Sequence, residues 1–214
     1  VYEDLRDSDE EPHDRVVAIS GQRAAGTSTH ASDLATEFGI EHVDNGTVQR
    51  EKADEHGYDD VERFRDEHPD ADLEVDAAKL ERAYDGEPLL AEGRLDAAAL
   101  SAERADGRPF APVRIKITCD DDTRARRYAD REDLDAEELD EAREELVESD
   151  EKVYDIFAAV YDGIDPRDKE FYTHVIDNSG DYEEVHEELV SILEDAGFER
   201  RQVYTVEEWE EMGV

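Results

Sequence analysis

The sequence predicts an α/β fold in which helices cover a parallel sheet. The first observation behind this prediction is a succession of four segments between residues 15 and 43: a short apolar run, a Gly-rich loop, an amphipathic helical pattern and a second apolar run. This is the order of a βαβ unit. The second observation is that short apolar runs and helical patterns continue to alternate downstream. The third is the length of 214 residues, which suits one domain with inserted subdomains.

The first unit can be assigned element by element. Residues 15–20, RVVAIS, form a short apolar run typical of a buried parallel strand. Residues 21–27 are rich in Gly, Ala and Thr and form the connecting loop. A helix is predicted over 28–38, because apolar residues recur there at i, i+3, i+4 and i+7 and Gly39 follows. Residues 40–43, IEHV, are predicted to be the second strand.

Helical and strand-like patterns then alternate along the rest of the chain. Helices are predicted at 47–55, 61–67 and 73–84, over a long stretch at 123–160 with an interruption near 133–135, and at 181–196. Strands are predicted at 89–94, 113–118 and 175–177. The clearest strand is VRIKIT at 113–118, in which apolar and polar residues alternate. The sequence contains no internal repeat.

The charge balance is strongly acidic. The chain carries 64 Asp and Glu residues against 24 Lys and Arg, a formal net charge of −40, and only five of the cations are Lys. Such a polyanion is repelled by phosphate backbones and anionic membranes, so general nucleic-acid binding is not expected. The composition resembles that of proteins from salt-accumulating halophiles, because near 1 M salt the Debye length falls to about 3 Å and self-repulsion is screened. An ordinary acidic protein with charged helix faces is the alternative.

Several function classes are excluded or disfavoured. The sequence has no run of 18 or more apolar residues and no signal-peptide pattern, so we expect a cytoplasmic protein without membrane spans, and a monomer. The single Cys119 excludes an internal disulfide and a Cys-based zinc site. The seven histidines show no paired spacing, and we expect them at surface or capping positions. Residues 1–14 are predicted to be a flexible acidic tail, and 196–214 an acidic C-terminal extension.

The loop after the first strand carries the strongest chemical signal. A phosphate-binding loop reads G-x-x-x-x-G-K-[ST] between a strand and a helix. Here Gly21 and Gly26 have the required spacing, Ser28 stands where a hydroxyl would meet Mg²⁺, and Thr27 replaces the lysine. A turning backbone beside a helix N-terminus directs N–H groups at an anion. Without the lysine, the same pattern also fits an ordinary strand-to-helix turn.

Arginines at the ends of predicted elements add to this signal. They are Arg23, Arg50, Arg94, Arg127 and Arg131. Arginine is the better bidentate partner for phosphate, although each of these residues alone also fits a surface ion pair. Because the carboxyl ends of the strands of an open α/β sheet converge on one crevice, the set together favours a cleft for two phosphate-bearing substrates.

Longer stretches make a family resemblance specific. They are AISGQRAAGTST (18–29), FGIEHVDNGTVQRE (38–51), HPDADLEVD (68–76), LLAEGRL (89–95), RARRYADRE (124–132), GID (163–165) and VID (175–177). In this order and at these spacings, the chain resembles the archaeal-type cytidylate kinases of the nucleoside monophosphate (NMP) kinase family over about residues 15–195. Members of that group often have Thr in place of the loop lysine.

The resemblance implies a fold and a reaction. The fold is a three-layer P-loop kinase fold with a parallel five-stranded sheet, a helical NMP-binding insertion at 46–86 and a lid at 132–163. The reaction is Mg²⁺-dependent transfer of the γ-phosphate of ATP to CMP or dCMP. Such an enzyme positions two nucleotides in line and neutralises the charge that develops during transfer.

The resemblance also implies a role for individual residues. It assigns the ATP β and γ phosphates to Gly21, Gln22, Arg23, Ala24, Ala25, Gly26, Thr27 and Ser28. It implies that Ser28 also supports Mg²⁺, that Arg50 and Arg94 hold the acceptor phosphate, and that Asp76 lines the base side of the acceptor site.

Three catalytic residues follow from the same resemblance. Arg127 and Arg131 are expected to face the transferring phosphoryl group at the entrance to the lid, and Ser28 to act through the metal. Glu92, at the end of a strand, fits either a ligand of metal-bound water or a buried structural carboxylate.

Two departures from the family pattern leave alternatives open. Family members usually carry paired arginines just after the aspartate that matches Asp76, where this chain has Ala77, Ala78 and Lys79. The lid of the family is rich in arginine, whereas residues 133–163 contain only Arg143 and Lys152 as cations. The alternatives are therefore a kinase for another nucleotide or small metabolite, and a catalytically degenerate nucleotide-binding protein of the same fold.

Overall fold

A computed structural model describes residues 15–84, 88–101, 107, 109–160 and 165–201. Within these residues the strands are β1 (Val16–Gly21), β2 (Glu41–Asp44), β3 (Leu89–Gly93), β4 (Val113–Thr118) and β5 (His174–Asp177). They form a five-stranded sheet in the order β2-β3-β1-β4-β5, and every neighbouring pair is parallel. The predicted parallel α/β architecture is confirmed.

The helices of the described residues follow the predicted order. They are α1 (Thr27–Phe38), α2 (Asn45–Glu55), α3 (Val61–Glu67), α4 (Ala71–Tyr84), α5 (Asp96–Ala99), α6 (Asp121–Glu132), α7 (Leu139–Val160) and α8 (Tyr182–Asp195). Short 3₁₀ turns lie at Ala136–Glu138 and Lys169–Phe171. Only α5, a single turn, was not predicted, because four residues are too few to show a helical period.

Local chemistry sets the helix boundaries. The side chain of Asp44 accepts a hydrogen bond from the backbone N–H of Thr47 at 3.0 Å, so α2 begins at Asn45, two residues before the predicted start. Asp120 caps α6 in the same way. The predicted interruption near 133–135 is confirmed: Asp133 adopts a left-handed conformation that ends α6, and a capping box at Asp135 starts the next turn.

The core lies on both faces of the sheet. On one face, α1 and α8 pack Leu34, Leu189 and Leu193 against β1 and β4. On the other face, α4 and α5 cover β1 and β3, with Leu80 and Phe110 fully buried. Helices on both faces of a parallel sheet make three layers. Strand β1 is central, and all six of its residues are buried.

The carboxyl ends of the central strands meet at one edge of the sheet. The register places Ser20 beside Gly93 and Asp44 beside Glu92. Because the strands are parallel, the loops that follow β1, β2 and β3 open at this same edge, where a doubly wound sheet has its crevice. The fold therefore brings together three segments that are far apart in the sequence.

The termini fall largely outside the described residues. The predicted tail at 1–14 lies outside them, as do residues 202–214 of the predicted extension. Residues 196–201 pack on the domain: Phe198 is buried against Phe38, and the backbone N–H of Arg201 donates to the carbonyl of Glu37. The core thus continues past residue 195. No helix in the described part of the chain is long and apolar enough to cross a membrane.

Candidate active site

A cavity of about 710 Å³ opens at the carboxyl ends of β1, β2 and β3. Its lining comprises the loop after β1 with the first turn of α1, residues 44–46 and 92–94, and Arg127, Arg131, Asn178 and Tyr182. Seven of the eight loop residues predicted to bind phosphate line it, the exception being the fully buried Ala25. The topology thus gathers residues from the start, middle and end of the described chain around one space.

The loop after β1 has the conformation of an anion cradle. Its turn is closed by a hydrogen bond from the N–H of Ala25 to the carbonyl of Gln22, at 3.0 Å. Ala24 and Gly26 adopt positive φ values of 63° and 89°. The helix that follows has no side-chain cap. The backbone N–H groups of its first turn therefore remain available to an anion at a positively polarised helix end.

Thr27 stands where the motif has lysine, and its side chain turns back beneath the loop. It is 6% exposed, and its hydroxyl has no hydrogen-bond partner among the described residues. The hydroxyl occupies the position that a Cβ on Gly21 would need. Gly26 similarly leaves room for the side-chain amide of Asn178. The two glycines of the motif therefore accommodate neighbouring side chains of the chain itself.

Ser28 and Glu92 form a pair of oxygen donors in the cavity. The Ser28 hydroxyl donates to Glu92 Oε1 at 3.1 Å, although the two residues lie 64 positions apart. Glu92 is buried, and its other oxygen lies 3.8 Å from His42 Nε2. A hydroxyl and a carboxylate are hard oxygen donors of the kind that Mg²⁺ prefers. The residues present at this point fit the metal implied by the family resemblance.

Four of the five predicted arginines line the cavity, all except Arg50. Arg127 and Arg131 lie one turn apart on α6, and Arg127 Nη1 donates to the carbonyl of Ala25 in the loop at 3.4 Å. Arg94 follows β3 and donates to the Ser149 hydroxyl at 3.4 Å. Burial lowers the pKa of Arg94, while Asp150 opposes this shift. A partly desolvated guanidinium remains charged and gains from binding an anion.

Comparisons with known proteins identify the family. No family model matches the chain. The cytidylate kinase of Methanopyrus kandleri is 36% identical over 168 residues, covering 77% of this chain and 84% of that relative. The cytidylate kinase of Pyrococcus horikoshii is 31% identical over 173 residues, covering 78% and 82%. That of Halorubrum lacusprofundi is 35% identical over 143 residues, covering 65% and 70%.

The chain belongs to the cytidylate kinase family. The predicted resemblance is thereby confirmed, as is the prediction of an enzyme of the NMP kinase class. An uncharacterized protein from Eubacterium ventriosum has a TM-score of 0.63 at 16% identity, covering 84% of this chain and 98% of that one. A shikimate kinase from Acinetobacter baumannii has a TM-score of 0.53 at 16% identity, covering 86% and 96%. These likenesses show the fold, which is the predicted three-layer fold of P-loop kinases.

Two predicted acceptor residues of this cytidylate kinase family member are not part of the described cavity lining. Arg50 is exposed on α2, where its Nη2 donates to the Thr47 hydroxyl at 3.0 Å. Asp76 lies partly buried on α4. Neither is among the residues that line the cavity at 21–30, 44–46 and 92–94. Their assignment to the acceptor nucleotide stays a prediction.

Arg23 is engaged in a way that the sequence did not predict. Its guanidinium donates to Glu145 Oε1 at 2.9 Å and to the Tyr128 hydroxyl at 3.1 Å, and it lies over the Tyr128 ring. Its backbone N–H donates to Asp150 at 3.3 Å. Glu145 and Asp150 belong to α7, so this helix of the family member lies against the phosphate loop.

A buried ion pair that the sequence did not indicate holds the same loop. Arg124 is completely buried, donates through Nε to the carbonyl of Arg23 at 2.9 Å, and forms an ion pair with Asp150. Asp150 and Arg124 thus bond both backbone polar groups of Arg23. Arg124 falls within the RARRYADRE stretch, but nothing in the sequence distinguishes it from the exposed Arg126 two positions later.

The expectation that the histidines lie at surface or capping positions is wrong for His30 and His186, which are both buried. His30 is fully buried, with Nδ1 3.3 Å from His186 Nδ1 and Nε2 3.3 Å from Asn178 Oδ1, and its ring stacks on Tyr182. Burial lowers the pKa of His30. Asn178 in turn donates to the carbonyl of Ala25 at 2.7 Å. The cluster supports the phosphate loop through Asn178, a role that depends on contacts between α1 and α8.

Proposed function

We propose that this chain transfers the γ-phosphate of ATP to CMP or dCMP. Membership of the cytidylate kinase family supports the proposal at the level of the reaction class. The observation that supports it most directly is the anion cradle of residues 21–28 in the same cavity as Arg94, Arg127 and Arg131. A cradle of amides in the same cavity as three arginines fits two phosphate chains better than it fits an uncharged ligand.

The proposed ATP site is built from the loop and its supports. The backbone N–H groups of residues 21–28 would bind the β and γ phosphates, and Arg124 with Asp150 would keep the loop in the shape that presents them. Ser28 and Glu92 would hold Mg²⁺, which supplies neutralisation of phosphate charge when bound. Arg127 and Arg131 would stabilise charge on the transferring phosphoryl group.

The proposed acceptor site lies on the β2 and β3 side of the cavity. Arg94 would hold the acceptor phosphate from within the cavity. Arg50 would do so from the rim, and Asp76 would lie beyond it toward the base. Holding both nucleotides in line removes most of the entropic cost of the reaction, and preorganised cations neutralise the transition state.

We propose the region divisions expected from the family: an NMP-binding region at 46–86 and a lid at 132–163, within a kinase domain at 15–195. Helix α7 spans most of this lid, and its contacts with Arg23 supply a connection between lid and phosphate loop. Closure of a lid excludes the water that would otherwise hydrolyse ATP. A lid that contacts the phosphate loop directly can change its position when ATP binds to that loop.

We propose that the enzyme is salt-adapted, monomeric and cytoplasmic, and that it does not bind nucleic acids generally. The net charge of −40 and the five lysines support salt adaptation, because self-repulsion at this charge is screened only at high ionic strength. Activity should therefore rise steeply with KCl concentration into the molar range.

A second candidate is a kinase with another acceptor. It is favoured by the chain beyond Asp76, where Ala77 and Ala78 have no charged groups and Lys79 is buried in an ion pair. The lid contributes little positive charge, since Arg143 lies within 3.7 Å of two carboxylates, those of Asp122 and Asp140. A catalytically degenerate nucleotide-binding protein is the third candidate on the same grounds.

The experiment that tests these candidates measures ADP release with CMP, dCMP, UMP and AMP in multimolar KCl. Turnover that is selective for CMP and dCMP supports the proposal. Turnover only with another acceptor favours the second candidate. Binding of ATP without turnover on any acceptor would overturn the proposed transfer and favour the third.

A further inference from the structure

A buried lysine next to the cavity is not used by the proposed reaction. Lys79, on α4, is only 2% exposed. Its Nζ donates to Asp96 Oδ1 at 2.5 Å, to the backbone carbonyl of Glu92 at 3.1 Å, and to Asn45 Oδ1. A buried ammonium group is costly unless its three N–H groups are bonded. Here three oxygen atoms from three different segments satisfy all of them.

This arrangement fixes the orientation of the Asn45 amide. A lysine ammonium group can only donate hydrogen bonds, so the atom of Asn45 that faces it is the oxygen. The amide nitrogen Nδ2 is consequently directed away from Lys79. The usual ambiguity between the two ends of an asparagine amide is removed by this chemistry.

The amide nitrogen is available for a ligand. Asn45 is partly exposed and lines the cavity at the junction of β2 and α2, opposite the end of β3. Both polar atoms of its amide lie 3.1 Å from the position that a Cβ on Gly93 would take, a position that the Asp96 carboxylate already fills. Within the described residues, Nδ2 has no hydrogen-bond acceptor. Two oriented N–H donors thus border the acceptor side of the cavity.

We propose that Asn45 is a specificity-determining residue, which donates a hydrogen bond through Nδ2 to a carbonyl oxygen or ring nitrogen of the acceptor nucleobase, and that Lys79 is the positioning residue that orients its amide. This inference rests on the proposed function. Arg50 and Arg94 already supply positive charge for the acceptor phosphate, whereas a neutral amide adds direction without charge. Such a donor suits an uncharged base edge, and asparagine is a common reader of base edges.

The substitution that tests the role of Asn45 is Asn45→Asp. It keeps an oxygen for Lys79 and nearly the same shape, but removes both N–H donors. Sites built to hydrogen-bond one substrate discriminate strongly against an unmatched partner. We expect kcat/KM for the preferred monophosphate to fall at least tenfold in multimolar KCl. We expect the preference over the next-best base to fall by a similar factor, while KM for ATP stays within twofold.

The matched control is Gln49→Glu. It makes the same amide-to-carboxylate change one turn further along α2, at a residue outside the described cavity lining. All kinetic constants should stay within twofold. An Asn45→Asp enzyme with unchanged acceptor kinetics would overturn the inference, as would an equal fall for every base.

The role of Lys79 is tested with Lys79→Met combined with Asp96→Asn, which removes the ion pair without leaving an unpaired charge. We expect the double variant to lose acceptor selectivity as Asn45→Asp does, with KM for ATP unchanged. Wild-type selectivity in the folded double variant would refute the positioning role.

Calorimetric binding of CMP, UMP and AMP separates this inference from the proposed function, because it needs no turnover. A wild-type chain that binds one monophosphate selectively without phosphorylating it overturns the proposed function and still allows the Asn45→Asp comparison. A wild-type chain that binds none of them overturns both.

Discussion

The hydroxyl group of Thr27 occupies the space that a side chain on Gly21 would fill. The two residues stand at opposite ends of the phosphate loop, and a Cβ on Gly21 would also lie 3.1 Å from the carbonyl of Ile117. The loop lacks the usual lysine, and the residue in its place packs inward on the first glycine. Binding of phosphate in this chain is therefore expected to depend on backbone amides and arginines.

The first prediction concerns this pair. Gly21→Ala should lower the free energy of unfolding by about 1–3 kcal/mol, because the new methyl group overpacks the site. Thr27→Ala removes the obstructing hydroxyl, so the double variant should lose less than the two single variants added together, by at least about 0.5 kcal/mol. Urea unfolding at a fixed high salt concentration measures this free energy for the wild type, the two single variants and the double variant. Strict additivity would contradict the contact.

The second prediction concerns Gly26. Its φ of 89° disfavours any side chain, and Cβ would meet the Asn178 amide, so Gly26→Val should abolish turnover. Gly57→Val is the matched control, because Gly57 has a φ of 80° but nothing within 4 Å of its Cβ position. The control should share the backbone strain and keep its activity. Full activity of Gly26→Val in the ADP-release assay would refute the site assignment.

The third prediction concerns the buried pair beneath Arg23. Asp150→Asn removes the buried partner of Arg124 and leaves it only the half-exposed carboxylate of Asp121, and breaking a buried pair costs up to about 3–5 kcal/mol. Because Asp150 and Arg124 bond the backbone of Arg23, KM for ATP should also rise in the folded variant. Glu67→Gln makes the same change in the exposed pair with Arg63, and its unfolding curve should match the wild type. Equal unfolding curves for both variants would contradict a stabilising role of the Arg124–Asp150 ion pair.

The fourth prediction concerns pH and His30. Burial lowers the pKa of His30 from its ordinary value of 6.5. The unfolded chain then binds a proton more readily than the folded one, so stability is lost as pH falls below about 6.5. His30→Gln should flatten the decline in unfolding free energy between pH 7 and 5, whereas His174→Gln, at an exposed site, should not. The same slope of unfolding free energy against pH in all three proteins would show that His30 does not contribute to the pH dependence.

The fifth prediction concerns the proposed metal site. Glu92→Gln keeps a hydrogen-bonding group beside Ser28 but removes the charge. Changes around metal ligands typically cost 10- to 100-fold, so the Mg²⁺ concentration for half-maximal rate should rise by about that factor. Titration of the rate with MgCl₂ at constant KCl measures it, with Glu67→Gln as the control. An unchanged midpoint would remove Glu92 from the metal site.

Part of this molecule is determined locally and can be deduced from the sequence. The apolar run at 15–20, the helical period over 28–38 and the two spaced glycines are each contained in a dozen residues, and they predict the strand, the helix and the loop between them. The Asp residues that cap α2 and α6 act within three positions of themselves. Such features depend on backbone preference and side-chain period, which neighbours in the chain decide.

The remaining features depend on which residues meet across the fold. Nothing near Lys79 in the sequence indicates that it is buried against Asp96 and Asn45, which lie 17 and 34 positions away. Burial of His30 required α8 to pack on α1, which brings His186 and Tyr182 against its ring. The sequence by itself determined the fold class, the family and the phosphate loop. The tertiary structure decided which charged and polar groups became buried partners, because desolvation and pairing depend on surroundings that only packing creates.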